Sequence, residues 1–217
     1  WESERPVVST ATAPETIYDF GGFPDELYQM RYPAPGAPEL AGQAAGLLAD
    51  AGLQCDKDAG RGLDHGAWIP LLLSYGEADI PVTQLSIQPH LGPAHQFAVG
   101  QALAPLRQSG VLILGSGAIT HNLRDVYQRR TAGLPVDGPS PDWAMEFETW
   151  VSDKVEAGAF ADLRDYRALA PHAATAHPRD EHFLPLLTAA GAGGGAGRTM
   201  HRSFEWGSLG MTAFAFG

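Results

Sequence analysis

The sequence contains a single cysteine, Cys55, in 217 residues. One thiol forbids an intrachain disulfide and fits a reducing compartment, so a cytoplasmic location is expected. Basic charge is also scarce. Fourteen Lys and Arg face 25 Asp and Glu, a formal net charge of −11 at pH 7 with His neutral. Such a chain repels phosphate backbones and anionic lipid, which argues against nucleic acid and membrane surfaces as partners. No apolar run reaches the roughly 18 residues that suggest a membrane-spanning helix. There is no internal repeat. The sequence opens at Trp1 without an initiator Met or a basic-apolar leader, which raises the expectation that residues were removed or lie upstream.

What is present suits a packed enzyme domain. The composition is 44% hydrophobic and 18% charged, with five Trp. The length suits one α/β domain and is short for two. Short apolar runs alternate with Ala- and Leu-rich stretches, the pattern of a single α/β domain over 1–217 whose central, mostly parallel sheet is flanked by helices. Strands are predicted near Pro6 to Thr10, over 80–87, at Val111-Leu112-Ile113-Leu114 and at 211–216. The run at 111–114 reads as a strand buried on both faces. Residues 14–36, rich in Pro, Gly and aromatics, read as an ordered loop. Pro38 opens a helix to about Asp50, with Leu40, Ala44, Leu47 and Leu48 on one face. Further helices are predicted over 94–108, 142–157 and 181–190. Residues 191–197 hold five Gly and two Ala and read as a mobile loop.

Several signatures are missing. There is no His-Glu-x-x-His and no Gly-x-Ser-x-Gly elbow, and the glycines at 115–117 lack the spacing and Lys of a phosphate loop. Eight histidines remain. His121 follows the apolar run at 111–114 through Gly115-Ser116-Gly117-Ala118-Ile119-Thr120, and ligands of open α/β sheets bind beyond the carboxyl ends of strands. The plain alternative is that Thr120 or His121 merely caps the helix beginning at Asn122. His182 is constrained by Pro185, because proline is tolerated only in a helix's first turn. It therefore stands at a helix mouth, beside Asp180 and Glu181; the plain alternative is an exposed His among capping acids. His65 lies in Gly62-Leu63-Asp64-His65-Gly66-Ala67-Trp68, where Asp64 either orients it or simply caps a turn. The other five histidines lack comparable context.

These same stretches carry a resemblance. Tyr18-Asp19-Phe20-Gly21-Gly22-Phe23-Pro24, Tyr32-Pro33-Ala34-Pro35-Gly36, Gly62 to Trp68, Gly115-Ser116-Gly117 with Thr120-His121-Asn122-Leu123-Arg124, and Glu181-His182-Phe183-Leu184-Pro185-Leu186-Leu187 follow one another in order. Together they resemble the class III extradiol dioxygenases of the 4,5-DOPA dioxygenase type, related to the LigB superfamily, over the whole of 1–217. The resemblance implies an α/β domain and a non-haem Fe(II), with Zn(II) in some members. It implies that His121 and His182 match later metal-site histidines and that His65 matches a further active-site histidine. It also implies two earlier His ligands, expected upstream of Trp1.

The implied reaction is the opening of a catechol-type ring by O2. Such chemistry needs a metal with open positions and histidines that move protons near neutrality. On this reading His182 is a metal ligand, and His121 is either a ligand or the base. His65 steers substrate or oxygen by hydrogen bonding, and the aromatic loop walls the pocket. A small aromatic diol and O2 are then the partners. A zinc-dependent hydrolase, with Glu181 as the carboxylate, and a non-catalytic binding protein on the same fold are the rival readings.

Overall fold

Proline at a helix's first turn sacrifices only a donor that the helix leaves unpaired. Pro38 accordingly opens α1 (Pro38–Asp50) in the computed structural model, which describes residues 1–217. The chain divides into two units, Trp1–Gln88 and Pro89–Gly217.

In the first unit α1 buries Ala41, Ala44, Ala45 and Leu48, against which Val8 packs. Small residues dominate this face, so the helix lies close to the backbone beneath it. β1 (Val7–Ser9) pairs in parallel with β2 (Asp56–Asp58), Val8 opposite Lys57. The aromatic loop is ordered, as its composition requires: Tyr32 is fully buried, donates its hydroxyl to the Tyr75 carbonyl at 3.0 Å, and donates its backbone N–H to Thr16 Oγ1. α2 (His65–Ser74) begins directly after Asp64 and buries Trp68, whose indole N–H donates to the Ile17 carbonyl at 3.0 Å.

The second unit is built around α5 and α9. Its helices are α3 (Gly92–Leu103), α4 (Leu123–Thr131), α5 (Asp142–Glu156), the short α6 (Phe160–Arg164), α7 (Tyr166–Leu169) and α8 (Ala173–Ala176), and α9 (Leu184–Gly193). Phe147, Val151 and Val155 of α5 meet Leu163, Tyr166, Ala176, Phe183, Leu187 and Ala190 in one core. Each large apolar side chain fully buried here contributes about 1.5–3 kcal/mol. β3 (Gly197–His201) later pairs antiparallel with β6 (Ala213–Phe216), and β4 (Phe204–Glu205) pairs antiparallel with β5 (Leu209–Gly210).

The architecture is α/β, but the predicted central, mostly parallel sheet is replaced by three two-stranded ladders, of which one is parallel. Two sequence readings account for the difference. Residues 80–87 make only single bridges, to Gly36, Val8 and Glu2 in turn, so no continuous ladder forms. The run at 111–114 forms no strand, and Leu112 and Leu114 are exposed. Its apolar composition resembled that of a core strand; its tertiary environment differs.

The glycine-rich segment after 190 is another correction. Gly191 and Gly193 continue α9, which stops at Gly194 in the left-handed region (φ 74°). The reason is helix packing. α3 and α9 cross backbone to backbone at Gly100 and Gly191. A Cβ on Gly100 would drive into the Thr188 carbonyl and sit 2.9 Å from the Ala192 nitrogen; one on Gly191 would drive into the Phe97 carbonyl. Backbone cannot rotate aside, so Gly100→Ala is expected to destabilise the protein by about 1–3 kcal/mol. In α1 a Cβ on Gly46 meets nothing, and Gly46→Ala is expected to stabilise by about 0.5–1 kcal/mol. Thermal unfolding of the two variants should move in opposite directions; equal shifts would discredit the tight crossing.

Candidate metal centre

The second unit brings two of the predicted site residues together. The segment at 115–121 runs beside the start of α9 because Gly115 and Gly117 have no side chains: a Cβ on either would collide with the Pro185 or the His182 carbonyl. The close approach lets the Ala118 N–H donate to the His182 carbonyl at 2.9 Å. Ile119 N–H donates to the Gly210 carbonyl at 2.9 Å, and His121 N–H to the Ala176 carbonyl at 2.8 Å. Thr120 Oγ1 donates to the Ser208 carbonyl and accepts from Gly210 N–H. Thr120 and His121 are therefore not helix caps. Asn122 fills that role for α4, accepting from Asp125 N–H. His182 stands two residues before α9, at the mouth that Pro185 predicted.

The His121 and His182 rings stack with centroids 3.5 Å apart and planes 11° from parallel. Two rings this close cannot both carry positive charge without strong repulsion, and neutral imidazole is the metal-ligating form. Glu181 joins them: ligand atoms of His121, Glu181 and His182 all lie within 4.8 Å of one another. Glu181 Oε1 is 3.3 Å from His182 Nδ1, and its other oxygen accepts from Arg179 Nε at 3.2 Å. Partial burial alone would raise its carboxyl, but its own backbone N–H, the His182 ring and Arg179 outweigh that, and the group is held below its ordinary value. It is an anionic oxygen donor near neutrality. Two imidazoles and one carboxylate form a donor set found for both non-haem Fe(II) and catalytic Zn(II). The sequence placed Glu181 beside His182 but could not tell a neighbour from a third donor.

His177, given no context by the sequence, braces this centre. Its ring is fully buried among Phe147, Tyr166 and Phe183. Its Nε2–H donates to the Ile119 carbonyl at 2.7 Å, two residues before His121. The Arg167 guanidinium donates to the His177 carbonyl at 2.6 Å and pairs with Asp180, which also accepts the Tyr166 hydroxyl at 2.6 Å. Burial holds the His177 imidazole down at about 3, although the bond to Ile119 works against this. The unfolded chain titrates near 6.5. Stability from this residue is therefore complete above about pH 6.5. It falls by ~1.4 kcal/mol per pH unit as the pH drops toward the folded value. His177→Gln keeps an N–H donor for Ile119 and is expected to flatten that slope in denaturant titrations between pH 7 and 5. An unchanged slope would refute the assignment.

His65, the third predicted site residue, lies in the first unit at the start of α2. Asp64 does not orient it. The Asp64 carboxylate instead accepts from Arg61 Nη2 at 3.1 Å and lies 2.9 Å from the Trp1 amino group. The acid at His65 is Asp19, 46 residues upstream, whose Oδ1 is 2.8 Å from His65 Nδ1. No periodicity or motif spacing points to that pair.

No helix is long and apolar enough to cross a membrane. Two histidines and a carboxylate gathered within 4.8 Å on an α/β fold are a cluster that could hold a metal ion. The family model described as "Catalytic LigB subunit of aromatic ring-opening dioxygenase" matches residues 1–217, and the chain belongs to that family. It is an extradiol aromatic ring-opening dioxygenase. A 4,5-DOPA dioxygenase extradiol of Beta vulgaris is 44% identical over 221 residues, covering 100% of this chain and 79% of the relative. The protein of the same name from Escherichia coli K12 is 36% identical over 225 residues, with coverage of 100% and 79%. The crystal structure of an uncharacterized protein from E. coli K12 matches with a TM-score of 0.79 and 32% identity, covering 100% of this chain and 82% of that one.

Proposed function

We propose that this dioxygenase opens the ring of a DOPA-like catechol beside one of its two hydroxyls, using Fe(II) held by His121 and His182 with Glu181 as the oxygen donor. The observation that carries the reading is the convergence of the three donors within 4.8 Å. The names of the relatives support the substrate class. When bound, Fe(II) supplies positions for the diol and O2 and the redox chemistry between them.

The protein's own groups do the rest. Stacking against His182 beside Glu181 favours the ligand role for His121 over that of the base. The catalytic role of His65 rests on the family resemblance; its half-exposed ring pairs with Asp19 within the first unit. The Arg179–Glu181 pair keeps the carboxylate anionic and oriented. The chain is proposed to work as a cytoplasmic enzyme on a small diol, with no nucleic-acid or membrane partner.

Anaerobic loading of the full-length gene product with Fe(II), then air and a panel of catechols, tests this. A yellow ring-fission product with DOPA or a near relative is expected. Product with Zn(II) alone would overturn the choice of metal, and metal-loaded protein inert to every catechol would overturn the reading.

A further inference from the structure

β4 and β5 form a hairpin that contributes none of the three donors, yet it grips the segment that carries His121. Both lie in the second unit. At the hairpin's turn Trp206 and Gly207 stand in the left-handed region, with φ 51° and 67°. Ser208 N–H closes the turn onto the Glu205 carbonyl at 3.2 Å. A side chain as bulky as Trp rarely adopts this backbone. The Arg130 guanidinium lies over its ring, 5.1 Å from the centroid, and holds it there. The turn brings the Ser208 carbonyl and the Gly210 N–H, two residues apart, to one edge of the hairpin.

Thr120 meets that edge. Its fully buried Oγ1 donates to the Ser208 carbonyl at 2.8 Å and accepts from Gly210 N–H at 2.6 Å. A hydroxyl has one proton to give and lone pairs to receive, so it suits a carbonyl and an N–H side by side. The backbone adds an antiparallel bridge between Thr120 and Gly210, with Ile119 N–H on the Gly210 carbonyl. Glycine at 210 makes the fit possible. A Cβ there would lie 3.0 Å from Thr120 Oγ1 and crowd the hydroxyl off its partners. Ser208 and Gly210 are both buried, so bulk water does not replace the hydroxyl if it is lost.

Side chains of neighbouring residues leave a bridged segment on opposite sides. Thr120 enters the hairpin, while His121 leaves the other way and stacks on the His182 ring. We propose that Thr120 is a positioning residue whose hydroxyl, bridged between Ser208 and Gly210, sets the direction in which His121 is presented to the metal. The role rests on the reading of His121 as a ligand. Without the hydroxyl, a carbonyl and an N–H are left buried and without that partner. The hairpin must shift to satisfy them, the bridged segment moves with it, and His121 loses its alignment with His182.

Thr120→Val keeps the side chain's shape and removes the hydroxyl, whereas Thr120→Ser keeps the hydroxyl. The full-length gene product is titrated anaerobically with Fe(II), and with Co(II), whose visible absorption reports the number and geometry of its ligands. Thr120→Val is expected to bind Fe(II) about 10- to 100-fold more weakly, the range seen when groups that orient a ligand are removed, and to alter the Co(II) bands. Thr120→Ser should recover both. Gly210→Ala, which crowds the hydroxyl without removing it, should shift the Co(II) bands in the same direction. Ser152→Ala controls for stability alone. It deletes another buried hydroxyl, the donor to Glu148 at 2.7 Å, and should leave Fe(II) affinity and the Co(II) bands unchanged. Wild-type affinity and bands in Thr120→Val or in Gly210→Ala overturn the inference, as does an equal loss of Fe(II) affinity in Ser152→Ala. His121→Ala separates the two levels. If it binds Fe(II) like the wild type, His121 is no ligand and the reading beneath the role is refuted. If it loses Fe(II) while Thr120→Val does not, only the role of Thr120 is refuted.

Discussion

His182→Ala is expected to abolish catechol opening and to weaken metal binding by more than about 100-fold. Removing an outer partner of a ligand already costs 10- to 100-fold, and His182 is proposed to be a ligand itself. The substitution takes away one nitrogen of the donor set, the face on which His121 stacks, and the ring beside Glu181. It leaves the backbone link intact, because the Ala118 N–H bonds the His182 carbonyl rather than its side chain. The side chain is only part-buried, so the thermal transition should move little; effects of roughly 0.5 kcal/mol are usual for such positions. Anaerobic Fe(II) titration and oxygen-dependent product formation measure the two losses separately. A variant that binds Fe(II) like the wild type removes His182 from the ligand set. Glu181→Gln, which keeps an oxygen but loses the charge, should fall between the variant and the wild type.

Gly117→Ala is expected to damage the same centre without altering a single ligating atom. The new Cβ would drive into the His182 carbonyl oxygen and lie 3.4 Å from Pro185 Cγ. Neither neighbour is a flexible side chain, so the 115–121 segment must move away from the start of α9. Overpacking of this kind costs about 1–3 kcal/mol. Losing the Ala118–His182 bond adds about 1 kcal/mol. The displacement separates His121 from His182, so Fe(II) affinity should drop along with stability. Gly195→Ala, at a position where a Cβ meets nothing, is the control and should change neither. If Gly117→Ala lowered stability but left Fe(II) affinity untouched, the two histidines would not depend on this contact.

The site was partly legible in sequence because some of its constraints are local. Pro185 limits where α9 can begin, and His182 follows from that. Other parts were not legible. The Asp19–His65 pair joins residues 46 apart, and the adjacent Asp64 was the only acid that chain proximity suggested. His177 carries no motif; its role comes from burial among three aromatic rings, and burial is a property of the assembled core. Glu181 was visible as a neighbour of His182, while its approach to His121 required the fold.

Secondary structure divides along the same line. Pro38–Asp50 was fixed by proline chemistry at one end and an apolar face along its length, and α5 lies within the helix expected over 142–157. These are short-range effects, resolved within a few turns. The apolar run at 111–114 and the glycines after 190 were decided elsewhere. The same apolar residues make a buried strand or an exposed irregular segment according to what lies beside them. The same glycines make a loop or a close helix crossing according to whether another backbone approaches. Sequence by itself determined the family and the α/β composition, and singled out His65, His121 and His182. Tertiary structure decided which acids serve them, because hydrogen bonds and charges act through space at about 3 Å, wherever along the chain the partners lie.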